Sequence, residues 1–265
     1  MQKKLSVSLK NFSALRIGGQ ADIVYFPETL AELTELLDEQ PARPVVGGCT
    51  NVFFGDLPEL ICVKYLNQIN ETAGGIEAEC GALLEKLFDF AAGVPATVGG
   101  GVIMNFGAFG FELKDFLRSA RVWQDGAVKI LPAAELRLGY RSADFAGIVL
   151  SAVFVKKQLE KKNEYLKLRQ EKMPWGQPNI GSIFKNPAGL SAGKLIEDAG
   201  CKGYKYKDLQ VSEKHANIVV NNGAASARDM LDLIGQVRQA VRERTNILLE
   251  IEARYLGQTE NGVRR

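Results

Sequence analysis

The chain is poor in the residues that build metal and redox centres. Among 265 residues there is one histidine, His215, and four cysteines, Cys49, Cys62, Cys80 and Cys201, none in C-x-x-C spacing. Zinc and iron–sulfur sites need such ligands clustered at short fixed spacings, and disulfide frameworks belong to short cysteine-dense chains. The expectation is therefore no metal, and reduced thiols. No run nears the ~18 apolar residues of a membrane span, and the opening M-Q-K-K-L-S-V-S-L-K-N-F has no apolar core of signal-peptide length. Charge of one sign is missing too, with 33 basic against 31 acidic residues. That excludes the basic footprint of a nucleic-acid binder, while local clusters can still hold small anions. These absences describe a cytoplasmic globular protein without nucleic-acid or membrane partners. A hydrophobic fraction of 46% and a charged fraction of 24% are ordinary for such a chain.

What is present is glycine, densest in the uncharged stretch Gly93 to Gly110, G-V-P-A-T-V-G-G-G-V-I-M-N-F-G-A-F-G. A backbone without side chains turns through positive φ and comes close to a flat ligand. Its successive N–H groups can also form a hollow for phosphate. Read alone, the stretch fits a cofactor cradle and a buried turn equally. From Pro44, P-V-V-G-G-C-T-N-V-F-F-G-D reads as a strand, a tight turn and a second apolar run, either a pyrophosphate cradle or an ordinary hairpin turn.

The periodicity predicts a strand over 23–26, a helix over 30–37 capped by Thr29, half-exposed strands within 60–80, and a helix over 83–92. A hairpin turns at Asp125-Gly126, followed by the strand I-V-L-S-A-V-F-V. The charged run K-K-Q-L-E-K-K-N-E marks a domain junction and leads into a short helix ending at Lys172. Ser191 caps a helix that Gly200 ends, and V-S-E-K-H-A-N-I-V-V-N reads as a strand. Ser226 opens a long helix to about Arg244 with Met230, Leu231, Leu233, Ile234, Val237 and Val241 inward. The closing I-L-L-E-I-E-A-R-Y-L-G reads as a strand, on which Glu250 and Glu252 share a side.

Eight segments, in order, carry a resemblance: R-I-G-G-Q-A-D, V-V-G-G-C-T-N, the glycine stretch, G-Y-R-S-A-D-F, G-S-I-F-K-N-P, A-G-K-L-I-E-D-A-G-C-K-G-Y, Q-V-S-E-K-H-A-N and E-I-E-A-R-Y-L-G. Together they resemble the UDP-N-acetylenolpyruvoylglucosamine reductases, flavoenzymes of bacterial peptidoglycan synthesis. The S-E-K-H-A-N form is similar to the family's shorter branch. The resemblance implies an α+β fold with an FAD-binding domain of the vanillyl-alcohol-oxidase type over 1–157, in subdomains of about 1–58 and 59–157. A smaller α+β substrate-binding domain over 158–246 and a C-terminal strand over 247–265 would complete it. It implies NADPH reducing FAD, hydride passing to the enolpyruvyl group of the UDP-sugar, and a proton following. A monomer acting on small molecules is expected.

By the same resemblance Arg141 stabilises the developing carboxylate charge, Ser182 donates the proton and Glu252 partners the enolate. Read without it, Arg141 is a hairpin arginine and Ser182 a turn serine. The FAD residues implied are Gly47, Gly48, Cys49, Thr50, Asn51, Pro95, Ala96, Thr97, Gly99 and Gly100, with Asn105 and Gly107 beside the isoalloxazine. Lys185, Asn186 and His215 are implied for the UDP moiety, a lone strand histidine being otherwise a structural hydrogen-bonder. Two departures stand out. Cys49 takes a position where glycine is usual, and the approach to Gly93 is about a dozen residues shorter than the family pattern. The competing functions are another flavin oxidoreductase on this scaffold, or a non-catalytic FAD or nucleotide-sugar binding module.

Overall fold

The computed structural model describes residues 1–259 and 262–264. The chain forms two compact units that interleave along the sequence. The first comprises Met1–Leu5, Ile23–Gly48 and Glu59–Lys167; the second comprises Ser6–Asp22, Cys49–Pro58 and the chain from Leu168 onward. Residues 6–22 and 49–58, which the sequence partition keeps in its first block, thus group with the C-terminal part.

The first unit is built on a five-stranded antiparallel sheet ordered Ala127–Pro132, Leu117–Gln124, Ile148–Phe154, Gly75–Glu79, Ile69–Thr72. Ala120 faces Ala152 and Ala152 faces Ala78, so small residues line its middle. Asp125 and Gly126, both at positive φ, make the tight turn the sequence predicts. Helix α1 (Leu30–Glu39) starts where Thr29 accepts the Glu32 N–H, and it buries Leu33, Leu36 and Leu37 against Ile61, Leu66, Trp123 and Leu150. Strand Gln2–Ser8, largely exposed, edges a four-stranded sheet ordered Gln2–Ser8, Gln20–Phe26, Leu57–Cys62, Val45–Val46. Its polar alternation hid it from the sequence reading.

Two expectations fail in this unit. The stretch 83–92 is not a helix but two 3₁₀ turns, Leu84–Lys86 and Asp89–Ala91. Leu84, Leu87, Phe88, Phe90, Ala91 and Ala92 are all fully buried and Lys86 is the one exposed residue between 83 and 92, too little polar surface for the open face of an amphipathic helix. The backbone bonds sideways instead: the Asp89 N–H donates to the Gln158 carbonyl at 2.8 Å and the Gln158 N–H to Leu87 at 2.9 Å. The true helix lies within the glycine stretch, as α2 (Val98–Ile103). Three consecutive glycines are poor helix formers, each about 1 kcal/mol worse than alanine. Packing overrides that here, because a Cβ on Gly101 would stand 2.6 Å from Leu84 and one on Gly99 3.1 Å from Cys80.

The second unit carries the sheet Lys205–Tyr206, Leu209–Val211, Val219–Asn221, and a second sheet in which Arg254–Thr259 runs parallel to Val52–Phe54. Helix α3 (Lys162–Lys172) spans the boundary between the units' sequence segments. Helices α4 (Ala192–Asp198) and α5 (Ala227–Thr245) begin at Ser191 and Ser226, whose side chains accept the Lys194 and Asp229 N–H groups. Met230, Leu233, Ile234, Val237 and Val241 of α5 enter a core with Leu15, Ile17, Phe53, Ile183, Phe184 and Ile196. Leu231, expected inward, is turned out, one position off the apolar stripe. The end of the 247–265 segment, at Glu260, Asn261 and Arg265, lies outside the described residues.

Candidate active site

In the first unit the two glycine-bearing stretches meet. A Cβ on Gly47 would stand 2.0 Å from the Thr97 hydroxyl, and one on Gly48 1.9 Å from the Pro95 carbonyl oxygen. Only glycine permits that approach. The N–H groups of Val98 and Gly99 are already donated to the Ala82 and Cys80 carbonyls, each at 2.8 Å. Gly100 is exposed, and the nearest atom to a Cβ there is the Thr97 hydroxyl at 3.7 Å. Ala96 and Thr97 are buried beneath this wall. Cys49, in the second unit, holds φ +48°, the left-handed region where glycine is favoured. Its carbonyl accepts the Ala14 N–H at 3.4 Å, and Thr50 beside it is half-buried.

Further along the first unit, Arg141 sits in the turn Gly139–Ser142 with φ +52°. Its guanidinium donates to the Gly107 carbonyl at 2.8 Å and lies over the Tyr140 ring, 5.3 Å from its centroid. Asn105 is fully buried at φ +39°. Its amide donates to Glu112 at 3.1 Å and to the Gly139 carbonyl at 2.9 Å, while its oxygen accepts the Lys114 N–H at 3.0 Å. Both donors are thereby consumed by protein. Phe109 stacks on Tyr165 of α3, centroids 4.6 Å apart.

In the second unit Ser182 and Glu252 lie on neighbouring extended segments. The Glu252 and Ala253 N–H groups both reach the Ile183 carbonyl, at 2.8 and 3.2 Å, and the Lys185 N–H reaches Glu250 at 2.8 Å. That doubled contact is a bulge. It corrects the reading of 247–257 as one strand, for the regular strand begins only at Arg254. Glu250 faces Lys185, with an ion pair of 2.7 Å. Asn51 donates its side-chain amide to the Glu252 carbonyl at 3.0 Å, and its own carbonyl accepts the Arg254 N–H at 2.9 Å.

Asn186 accepts the Ala192 N–H at 2.9 Å, at the start of α4. His215 is in a turn rather than a strand, because the Ser212 hydroxyl accepts the Lys214 and His215 N–H groups at 3.1 and 3.3 Å and bends the chain. Its ring accepts the Asn217 N–H at 3.3 Å through Nδ1, and burial pushes the imidazole below its ordinary value, so it is neutral at pH 7. The structure therefore gathers Ser182, Glu252, Lys185 and Asn51 in one unit, and Gly47, Gly48, Thr97, Gly100, Gly107, Asn105 and Arg141 in the other. Sequence reasoning missed Glu112 and Gly139 as partners of Asn105, of which side-chain alternation gives no sign, and it set Glu250 beside Glu252 without its ion pair to Lys185. Among the described residues no group of His, Cys, Asp and Glu suits a metal, and no helix is long and apolar enough to cross a membrane.

These units make up an α+β scaffold of the vanillyl-alcohol-oxidase, flavin-binding type, and its match to a solved member is close. The structure of UDP-N-acetylenolpyruvylglucosamine reductase from Thermus caldophilus superposes with a TM-score of 0.80 at 28% identity, covering 96% of this chain and 98% of that one. Residues 173–256 match the family model "UDP-N-acetylenolpyruvoylglucosamine reductase, C-terminal domain". The reductase of that name from Caldicellulosiruptor bescii is 38% identical over 282 aligned positions, covering 95% of this chain and 90% of its own. That from Streptococcus pneumoniae strain JJA is 36% identical, with 95% and 93% covered. The chain belongs to the UDP-N-acetylenolpyruvoylglucosamine reductase family.

Proposed function

We propose that the chain is an FAD-containing reductase that uses NADPH to convert UDP-N-acetylglucosamine enolpyruvate to UDP-N-acetylmuramate, in peptidoglycan precursor synthesis. The observation that carries this reading is the similarity across 95% of the chain to a reductase of that name, with Arg141, Ser182 and Glu252 each in its motif. The fit to FAD rests on the side-chain-free approach of Gly47 and Gly48 to Pro95 and Thr97, and on the open, exposed surface at Gly100. Gly47 to Asn51 and Pro95 to Gly100 would hold the pyrophosphate, with Gly107 towards the ring system. When bound, FAD supplies the hydride chemistry.

The chain's own residues supply the rest. Arg141, permanently charged, balances the negative charge that grows on the substrate carboxylate. The Ser182 hydroxyl gives its proton to the carbon next to the one reduced, as a general acid. Glu252, in its protonated form, donates a hydrogen bond to the enolate oxygen. Lys185, Asn186 and His215 hold the UDP portion, Lys185 by exchanging Glu250 for a phosphate oxygen. In this reading FAD belongs to 1–157 and the sugar nucleotide to 158–246, and the protein works as a cytoplasmic monomer.

The test is anaerobic. The purified protein should carry flavin absorption, bleach with NADPH, and recover its colour when the enolpyruvyl sugar nucleotide is added. A colourless protein that takes up no FAD overturns the reading. Flavin that bleaches but is re-oxidised only by oxygen points to a different flavoenzyme on this scaffold.

A further inference from the structure

The Gly139–Ser142 turn holds Arg141 in a conformation it would not choose. A left-handed arginine costs on the order of 1–2 kcal/mol and persists only where its surroundings impose it. Two contacts do so. One is the arginine's own bond to the Gly107 carbonyl. The other reaches the backbone of the turn: the Gly139 carbonyl accepts from Asn105 at 2.9 Å, while Gly139 N–H donates to the Ser142 carbonyl at 3.0 Å and closes the turn.

Asn105 is itself anchored from three sides. It follows α2, with its N–H on the Val102 carbonyl at 3.1 Å; its side chain is completely enclosed; and its amide spans Glu112 and Gly139. The Glu112 carboxylate is held below the usual carboxylate range, first by the Lys114 ammonium 2.6 Å away, with the Arg141 charge also contributing. The acceptor that fixes one end of the Asn105 amide therefore stays ionised at neutral pH. The amide is oriented by that carboxylate and in turn aims the turn that bears Arg141.

We propose that Asn105 is a positioning residue for Arg141, acting through the Gly139 carbonyl, and that its side chain is not a flavin ligand. This rests on the role assigned to Arg141 under the proposed function. It separates Asn105 from Gly100 of the same glycine stretch: Gly100 would serve by what it leaves open, Asn105 by what it holds shut.

A double-mutant cycle in the FAD-loaded protein tests it. Asn105→Ala and Arg141→Ala should each slow flavin re-oxidation by the enolpyruvyl nucleotide by roughly 10²-fold, the scale of an ångström's misplacement of a reacting group. If Asn105 acts through Arg141, the double variant is no slower than Arg141→Ala alone. Multiplying losses would overturn the proposal.

The second arm needs neither flavin nor turnover. In the flavin-free chain, amide exchange at Gly139 and Ser142 should quicken in Asn105→Ala by more than any change in global stability accounts for; unchanged exchange there overturns the proposal. If the alanine variant does not fold, Asn105→Asp keeps the shape, removes both donors and carries the same two comparisons. Failure of the functional reading has a different signature, since wild-type flavin would then not be re-oxidised by the nucleotide at all. The exchange result stands apart from it.

Discussion

Side chains at the candidate site are distinguished by how much of their chemistry the protein already uses. Asn105 has spent its donors inside the fold, while Gly100 has only the Thr97 hydroxyl within van der Waals reach of a Cβ. That contrast makes the cradle testable with a methyl group. Gly100→Ala removes a glycine from helix α2 where space is open, and should stabilise the chain by roughly 0.5–1 kcal/mol. If Gly100 faces the cofactor, the same methyl should weaken FAD retention, measured as flavin content after dialysis. A gain in thermal stability with full flavin content would remove Gly100 from the site. Gly48→Ala puts its Cβ on the Pro95 carbonyl, and should lower both stability and flavin content. For Ser182→Ala the expectation is selective: bleaching by NADPH persists, while re-oxidation by the nucleotide slows by roughly 10²-fold or more. Equal loss in both half-reactions would argue against a proton donor. Of these roles the residue types were readable, since each stands in a motif. The positive φ of Cys49, Asn105 and Arg141 was not, because no pattern of residue types marks backbone strain.

Helices with a polar face and a cap were legible; buried ones were not. Thr29, Ser191 and Ser226 announce α1, α4 and α5, and each accepts the N–H three residues on, as an N-cap does. The stretch 83–92 shows apolar residues at helical spacing, yet all of it but Lys86 is buried or half-buried and its backbone joins Gln158 instead. Helix α2 is the converse, a segment whose glycines disfavour helix and whose packing requires it. The start of α5 also sets a pH limit. Asp229 completes a capping box with Ser226 and pairs with Lys207, and these hold its carboxyl down to about 2. Its folded value lies below the unfolded one, near 3.8. The stability it contributes is therefore fully present above about pH 4, and is lost as pH falls from there towards 2. Asp229→Ala should remove that acid sensitivity, and lower stability at pH 7 by about 1 kcal/mol, as lost capping interactions do. Urea midpoints at pH 7 and pH 3 check it: an equal loss at both would show that the Asp229 charge plays no part.

Across the whole chain, the least legible feature is which segments fold together. Composition shifts at the charged run after Val155 and suggests a cut there, with everything before it in one block. The second unit nevertheless takes Leu15, Ile17 and Phe53 into its core. The Asn221 side chain donates to the Leu15 carbonyl across 206 residues, and Asn51 to Glu252 across 201. Such pairings leave no local trace, because neither member alters the periodicity around it. The alignment with the Caldicellulosiruptor bescii reductase runs over 282 positions, more than the 265 residues here, so that relative carries residues this chain lacks. A fragment of residues 158–265 would keep α4 and α5 but lose three large core side chains and the strand Val52–Phe54 that Arg254–Thr259 pairs with. Deleting one buried leucine or phenylalanine costs about 2–5 kcal/mol against a total stability of about 5–15 kcal/mol for a domain. The fragment should therefore lack a cooperative urea transition and show little amide protection in α5. Supplying residues 1–58 as a separate peptide should restore part of that protection, because it returns the segments 6–22 and 49–58 that the second unit contains. A fragment that unfolds cooperatively without the peptide would show that the C-terminal part is a domain in its own right, and that Leu15, Ile17 and Phe53 are dispensable to its core.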